Sequence, residues 1–199
     1  MFTTFDGRLA MLLLILACHS FSAHADDDIR IHTDLTYTEA NPDWKPFSNG
    51  DGYSVYAEAW HGIGAFGAFR YTDARLQPSG PVNGGFINYW QSIDVGYRYG
   101  RTRNYQLEAR LSYQQNEREL PTTTQTQSGL GYEIGGSVKL MERLRLRLNL
   151  STIDIEIKDW TLRSELQFDI SDRLFLIARL RDYNDWDFTY YEAGIGLRF

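Results

Sequence analysis

The 199-residue chain has one cysteine, few histidines, few prolines and only one continuous apolar run. Its cysteine, Cys18, lies within the first 25 residues. A disulfide framework and a thiolate metal site are therefore excluded from the rest of the chain. Only His32 and His61 follow residue 25, which leaves little for His-based catalysis. Basic charge is short: 20 Lys and Arg stand against 26 Asp and Glu, a formal net charge of −6, which argues against a nucleic-acid binder. After residue 25 no stretch approaches the roughly 20 apolar residues that a membrane helix needs. No glycine-rich phosphate loop sits on a strand-to-helix turn.

The apolar run that does exist is Leu9 to Ala17, preceded by Arg8 and followed by Ala23-His24-Ala25. A positive end, a short greasy stretch and a small-x-small site describe a secretory signal, with cleavage expected after Ala25. The expected mature chain is one domain, residues 26–199. Ile15-Leu16-Ala17-Cys18 weakly resembles a lipoprotein cleavage box, the alternative in which Cys18 would be lipidated.

What the chain has in quantity is aromatics, with 13 Tyr, 11 Phe and 5 Trp, and strict alternation of apolar and polar residues. The last stretch shows the alternation most cleanly. Thr189, Tyr191, Ala193, Ile195, Leu197 and Phe199 share one face of an extended strand, and Tyr190, Glu192, Gly194, Gly196 and Arg198 share the other. The same period-2 pattern runs through Ile29–Thr38, Phe86–Tyr99, Tyr105–Gln114, Leu130–Leu140, Leu144–Leu150, Trp160–Ile170 and Leu174–Arg181. Tyr53–Arg75 is too long for one crossing, so a tight turn is expected near His61-Gly62. In the Leu144 strand the apolar parity slips to Ile153, Ile155 and Ile157, which predicts a β-bulge near Ser151-Thr152.

Turn signals divide the chain into ten strands. Short connections fall near His61-Gly62, Gly100–Arg103, Met141–Arg143 and Ser171-Asp172. The alternate connections are longer, at 40–52, 76–85 and 116–128, with Lys158-Asp159 and 182–187 as short members of that side. Short turns on one side, longer loops on the other and an even strand count are the rules of a transmembrane β-barrel. The fold class predicted is all-β: an antiparallel transmembrane up-and-down β-barrel of ten strands, with eight as the alternative. A soluble sandwich or lipocalin-like barrel, whose oily face points inward, is the competing reading. In the barrel reading the polar face lines the lumen. Glu108, Arg110, Glu133, Lys139, Arg145, Arg147, Arg163, Glu165, Arg179, Arg181, Glu192 and Arg198 would form its charge network, because lone buried charges are costly. Tyr97, Tyr99 and Tyr105 would belong to one aromatic girdle, and Tyr37, Tyr71, Tyr89, Tyr113, Trp160 and Tyr191 to the other.

Two segments carry a resemblance. Gly64-Ala65-Phe66-Gly67-Ala68-Phe69-Arg70-Tyr71-Thr72 and Gly194-Ile195-Gly196-Leu197-Arg198-Phe199 resemble strands of the small outer-membrane barrels of the outer-membrane protein X and attachment–invasion (Ail) family. The chain departs from that family's eight strands by one hairpin. The terminal Phe199 with Tyr191, Ala193, Ile195 and Leu197 behind it resembles the signal read by the barrel-assembly machinery of the Gram-negative outer membrane. The resemblance implies a compact monomeric barrel in contact with outer-membrane lipid and lipopolysaccharide, with both termini periplasmic and loops at the cell surface.

Chemistry finds little support. His32 with Asp34 on the same face is the best catalytic fragment, and it lacks a nucleophile in an evident relation to it. No catalytic residue, metal site or cofactor is predicted. Asp26-Asp27-Asp28 and the Asp182/Asp185 pair read as solvated acidic segments, with cation binding as the alternative. The loop aromatics Trp44, Phe47 and Trp186 are partner anchors or caps of the outer girdle. The functional expectation is a non-enzymatic barrel with a structural or surface-interaction role. The alternatives are a narrow channel for small solutes and a lipid-modifying enzyme.

Overall fold

The computed structural model describes residues 29–42, 47–78, 86–100, 104–120, 123–155, 157–184 and 188–199. The signal segment, Asp26-Asp27-Asp28, Trp44, Asp185, Trp186 and the side chain of Phe47 lie outside them. Ten strands follow in order: β1 (Ile29–Pro42), β2 (Phe47–His61), β3 (Ala65–Pro78), β4 (Phe86–Tyr99), β5 (Tyr105–Leu120), β6 (Thr123–Met141), β7 (Leu144–Ile155), β8 (Ile157–Asp169), β9 (Leu174–Tyr183) and β10 (Phe188–Arg198). Each pairs antiparallel with its neighbours in sequence, and β1 closes on β10 from His32 opposite Arg198 to Pro42 opposite Phe188. The result is a closed up-and-down barrel of ten strands, not eight. Closure leaves no sheet edge unpaired.

The tight turn expected near His61-Gly62 is there. The Gly64 N–H donates to the His61 carbonyl at 2.8 Å, and Gly64 has φ 102°, a left-handed backbone that favours glycine. Its own carbonyl accepts from the Arg98 N–H at 2.8 Å, tying this turn to the neighbouring hairpin. The end with this turn also carries Ile29 and Phe199, so both ends of the described chain lie on one rim.

Three expectations need correction. The segments 40–52 and 116–128, read as loops, are mostly strand: β1 and β2 stay paired to Ala40 opposite Gly50, and β5 and β6 to Leu120 opposite Thr123. Thr123 to Thr126 are exposed on both faces of the sheet. Where a hairpin rises into water on both sides, alternation disappears while the hydrogen-bond ladder continues. Lys158 and Asp159, read as a turn, lie within β8: Ile155 is directly opposite Ile157, Asp154 opposite Lys158 and Ile153 opposite Asp159. There is also no bulge at Ser151-Thr152. Both ladders of β7 run through these residues without a register shift. The strand keeps its phase, so Ile153 and Ile155 enter the lumen, where they are buried at 3% and 0% exposure. The register shifts that do occur near strand ends lie at Ser48/Gly50 and Lys139/Met141.

The faces sort by sign of polarity. Ile93, Val95, Leu107, Leu111, Ile134, Leu148 and Ile195 point outward and are exposed, Ile134 at 65%. Tyr97, Tyr99 and Tyr105 stand outward near the terminal rim, and Tyr37, Tyr113, Trp160 and Tyr191 outward toward the opposite one. Tyr71 joins the latter set in a column with Tyr53 and Tyr89, ring centroids 6.1 and 6.4 Å apart. The buried residues are mainly ionic and polar. A soluble sandwich or lipocalin-like barrel has the reverse arrangement, and that reading is discarded.

Candidate functional site

The lumen is built in three layers, and strand register positions the first. Glu192 on β10 lies directly opposite Arg179 on β9, Arg179 opposite Glu165 on β8, and Glu165 opposite Arg147 on β7. Farther round, Glu133 on β6 faces Arg110 on β5, and Glu108 on β5 faces Arg98 on β4. Inward residues on adjacent strands thus alternate in charge, and opposite charges at facing positions attract.

The side chains convert that register into a web. Arg179, with no exposed side-chain surface, reaches Glu165 at 3.0 Å, Glu192 at 2.7 Å and, across the β1–β10 seam, Asp34 at 3.0 Å. Arg181 pairs with Glu192 and donates to Thr72 Oγ1 at 3.0 Å. Glu133 receives Arg110 at 2.8 Å and Arg163 at 2.6 Å, and Asn149 bridges Glu133 to Glu108. Glu108 also takes Arg98 at 3.1 Å and Arg110 at 2.8 Å, while Arg98 reaches past β3 to Glu58 on β2 at 2.6 Å. Arg147 meets Glu165 at 3.4 Å. Aromatic rings fill the gaps: Arg70 and Arg179 stack on Tyr56, Arg181 on Tyr190, and Arg98 and Arg110 on Phe66. Among the described residues, a void of about 30 Å³ lies in this layer, room for about one water.

The second layer lies toward the rim away from the termini. Trp90, Tyr183, Phe188, Tyr190, Leu76, Ile153 and Ile155 form an apolar cluster inside the barrel. Trp90 packs on Tyr183 at 5.0 Å and Phe188 on Tyr190 at 4.7 Å. Polar tips are satisfied from the wall: Trp90 Nε1 donates to Gln114 Oε1 at 2.9 Å, and Asn88 Nδ2 to Tyr190 Oη at 2.6 Å. The third layer, at the terminal rim, is a basin of about 820 Å³.

Of the twelve residues singled out from sequence, nine enter the central web: Glu108, Arg110, Glu133, Arg147, Arg163, Glu165, Arg179, Arg181 and Glu192. Arg198 pairs lower down with Asp169 at 2.5 Å, in partly exposed surroundings. Lys139 and Arg145 stand in the basin wall, and neither makes an ion pair among the described residues. Sequence reading missed Asp34, Glu58, Asp94 and Arg98 as members of the web. Parity already placed Asp94 and Arg98 on the lumen face of β4, so that signal was present. Glu58 lacked one, because β2 sets Gly, Ser, Tyr56 and Trp60 on its own face against Tyr53, Val55, Ala57 and Ala59 on the other, so the contrast between the faces is weak. His32 is buried between Tyr56 and Phe175, with ring centroids at 5.6 and 4.8 Å, and its Nε2 lies 3.3 Å from Asp34 Oδ2. Asp34 is in turn held by Arg179, so this pair belongs to the web. The terminal pattern Tyr191, Ala193, Ile195, Leu197 and Phe199 faces outward, each residue exposed.

No family profile and no curated protein matches this chain. Solved structures with a similar outline include the translocator domain of the autotransporter NalP from Neisseria meningitidis, at 10% identity, covering 96% of this chain and 95% of that one, TM-score 0.48. Ail, the attachment invasion locus protein of Yersinia pestis, aligns at 10% identity over 87% of this chain and all of its own, TM-score 0.42. An outer membrane channel from Pseudomonas putida F1 aligns at 9% identity over 86% and 94%, TM-score 0.49. These likenesses are distant, and the functional reading rests on the geometry of the chain itself.

Proposed function

We propose that this chain is an integral outer-membrane barrel with a structural or surface-interaction role. One observation carries the reading: the molecule is inside out, with ion pairs shielded in the lumen and a belt of Leu, Ile, Val and Tyr facing outward. Water would penalise such a continuous apolar belt, whereas acyl chains accept it. Closed barrels cross bilayers because every backbone group in the spanning zone is paired internally. In this reading outer-membrane lipid and lipopolysaccharide surround the belt, both termini are periplasmic, and the chain acts as a monomer. The outward Tyr191, Ala193, Ile195, Leu197 and Phe199 present the assembly signal. The test is expression with fractionation of the envelope, followed by gel migration with and without boiling. Recovery in the outer membrane and a heat-dependent shift support the reading. A detergent-free soluble protein overturns it.

The filled lumen favours the structural role over the channel. Among the described residues, a void of about 30 Å³ lies between the web and the apolar cluster, room for about one water. Planar bilayers with the reconstituted protein should stay silent, and steady unitary conductance would restore the channel reading. A lipid-modifying enzyme is disfavoured because His32 is enclosed by Tyr56, Phe175 and Asp34, away from the outer surface where lipid would sit.

A further inference from the structure

The central web takes up most of the lumen's charge, but the basin at the terminal rim is left unbalanced. Arg98 and Arg147 reach its floor, already neutralised from deeper by Glu58, Glu108 and Glu165. Arg198 is held by Asp169. Among the described residues, the remaining cations, Arg30, Lys139, Arg143, Arg145 and Arg173, outnumber the acids left in the wall, which are Glu142, Asp172, the terminal carboxylate of Phe199 and the Asp169 already paired with Arg198.

Arg145 is the centre of this excess. It is half-buried, and its guanidinium donates only to neutral groups, Gln106 Oε1 at 3.4 Å and Ser137 Oγ at 3.2 Å. Directly opposite it across the β6–β7 ladder is Lys139, a second cation on the same lumen-facing side. Like charges at facing positions repel, and a partly desolvated guanidinium without an anion is costly. The register shift between Lys139 and Met141 sits at this spot. The basin measures about 820 Å³ and continues toward Lys139 in a further recess of about 320 Å³. That is the size range of small-molecule sites.

We propose that this basin binds a soluble multivalent oxyanion, a phosphate or carboxylate compound, with Arg145 as its principal contact and Lys139 and Arg30 flanking it. A bidentate guanidinium matches either oxyanion, and an anion between Arg145 and Lys139 removes their repulsion. The site opens on the rim that carries the termini, and the proposal holds whichever compartment that rim faces.

The test is isothermal titration of the refolded full barrel in a non-ionic detergent with inorganic tripolyphosphate and, separately, citrate. Saturable binding of at least one anion is expected, weakening as salt is raised. The two probes distinguish phosphate from carboxylate chemistry. Arg145→Gln should weaken binding about tenfold or more, by loss of a charge-assisted contact. Asp172→Asn, which removes a competing carboxylate from the wall, should tighten it. Heat-dependent gel migration confirms that each variant is folded. Absence of saturable binding by the folded wild type for both anions overturns the proposal, as does unchanged affinity in folded Arg145→Gln.

Discussion

Arg179→Met offers the sharpest perturbation of the central web. Arg179 is fully enclosed and serves three carboxylates at once, Asp34, Glu165 and Glu192. Its removal does not affect the three equally. Glu192 keeps Arg181 and the Ser54 hydroxyl, and Glu165 keeps Arg147. Among the described residues Asp34 keeps only His32, at 3.3 Å, and its side chain has no exposed surface from which to recruit water. At an effective dielectric of 20, two charges 3 Å apart attract by roughly 5 kcal/mol before desolvation is subtracted. Breaking a buried pair from one side typically costs about 3–5 kcal/mol, because the surviving charge is stranded. The variant should therefore lose that much stability. Asp34→Asn added to it should return a measurable part, since the stranded charge is gone, and a double-mutant cycle reads the coupling. The assay is reversible denaturant unfolding in detergent or thin bilayers, followed by tryptophan emission and gel migration. Arg145→Met is the internal comparison: lacking an acidic partner and facing Lys139, it should change stability little or raise it. If Arg179→Met costs under about 1 kcal/mol and matches Arg145→Met, the web is hydrated and the packed-lumen reasoning is wrong.

Three further outcomes follow from the same geometry. Ile134→Arg, on the outward face of β6 at 65% exposure, should cost about 2–4 kcal/mol in a bilayer, measured by unfolding from lipid vesicles. The same change on a water-facing strand would be nearly neutral. Gly64→Ala forces a side chain onto a φ of 102° and into the Arg98 carbonyl, so it should destabilise by about 1–3 kcal/mol in the same unfolding assay. Gly96→Val places its branches against the Phe66 ring and the Ala109 backbone and should lower refolding yield and stability by about 1–3 kcal/mol or more.

Strand identity and facing were legible because the middle of each strand has two chemically opposed sides. Leu144, Leu146 and Leu148 alternating with Arg145, Arg147 and Asn149 could take only one phase relative to a polar lumen. Legibility failed where that contrast ends. Thr123 to Thr126 meet water on both faces, so a paired hairpin has the composition of a loop. Ile153 and Ile155 failed for the opposite reason. The lumen turns apolar at their level, and greasy residues on the inner face mimic a change of phase. The same blind spot hid Trp90 and Tyr183 as lumen residues. The web itself was half legible. Parity chose the inward charges, but the pairing of Asp34 with Arg179 depends on closure of β1 against β10, and that of Glu58 with Arg98 on reach past the intervening β3, which no local pattern records.

The central claim is that the apolar face meets acyl chains while the ionic face is sealed inside. Cys18 is the only cysteine and precedes Ala25, so single cysteines can be placed without background in a chain that starts at Asp26. Spin labels at Leu111, Ile134, Leu148 and Ile195, in protein reconstituted into lipid vesicles, report this directly through relaxation by oxygen and by a water-soluble nickel chelate. The account predicts strong oxygen and weak nickel relaxation at all four positions. Strong nickel relaxation there, with little effect of oxygen, would contradict it.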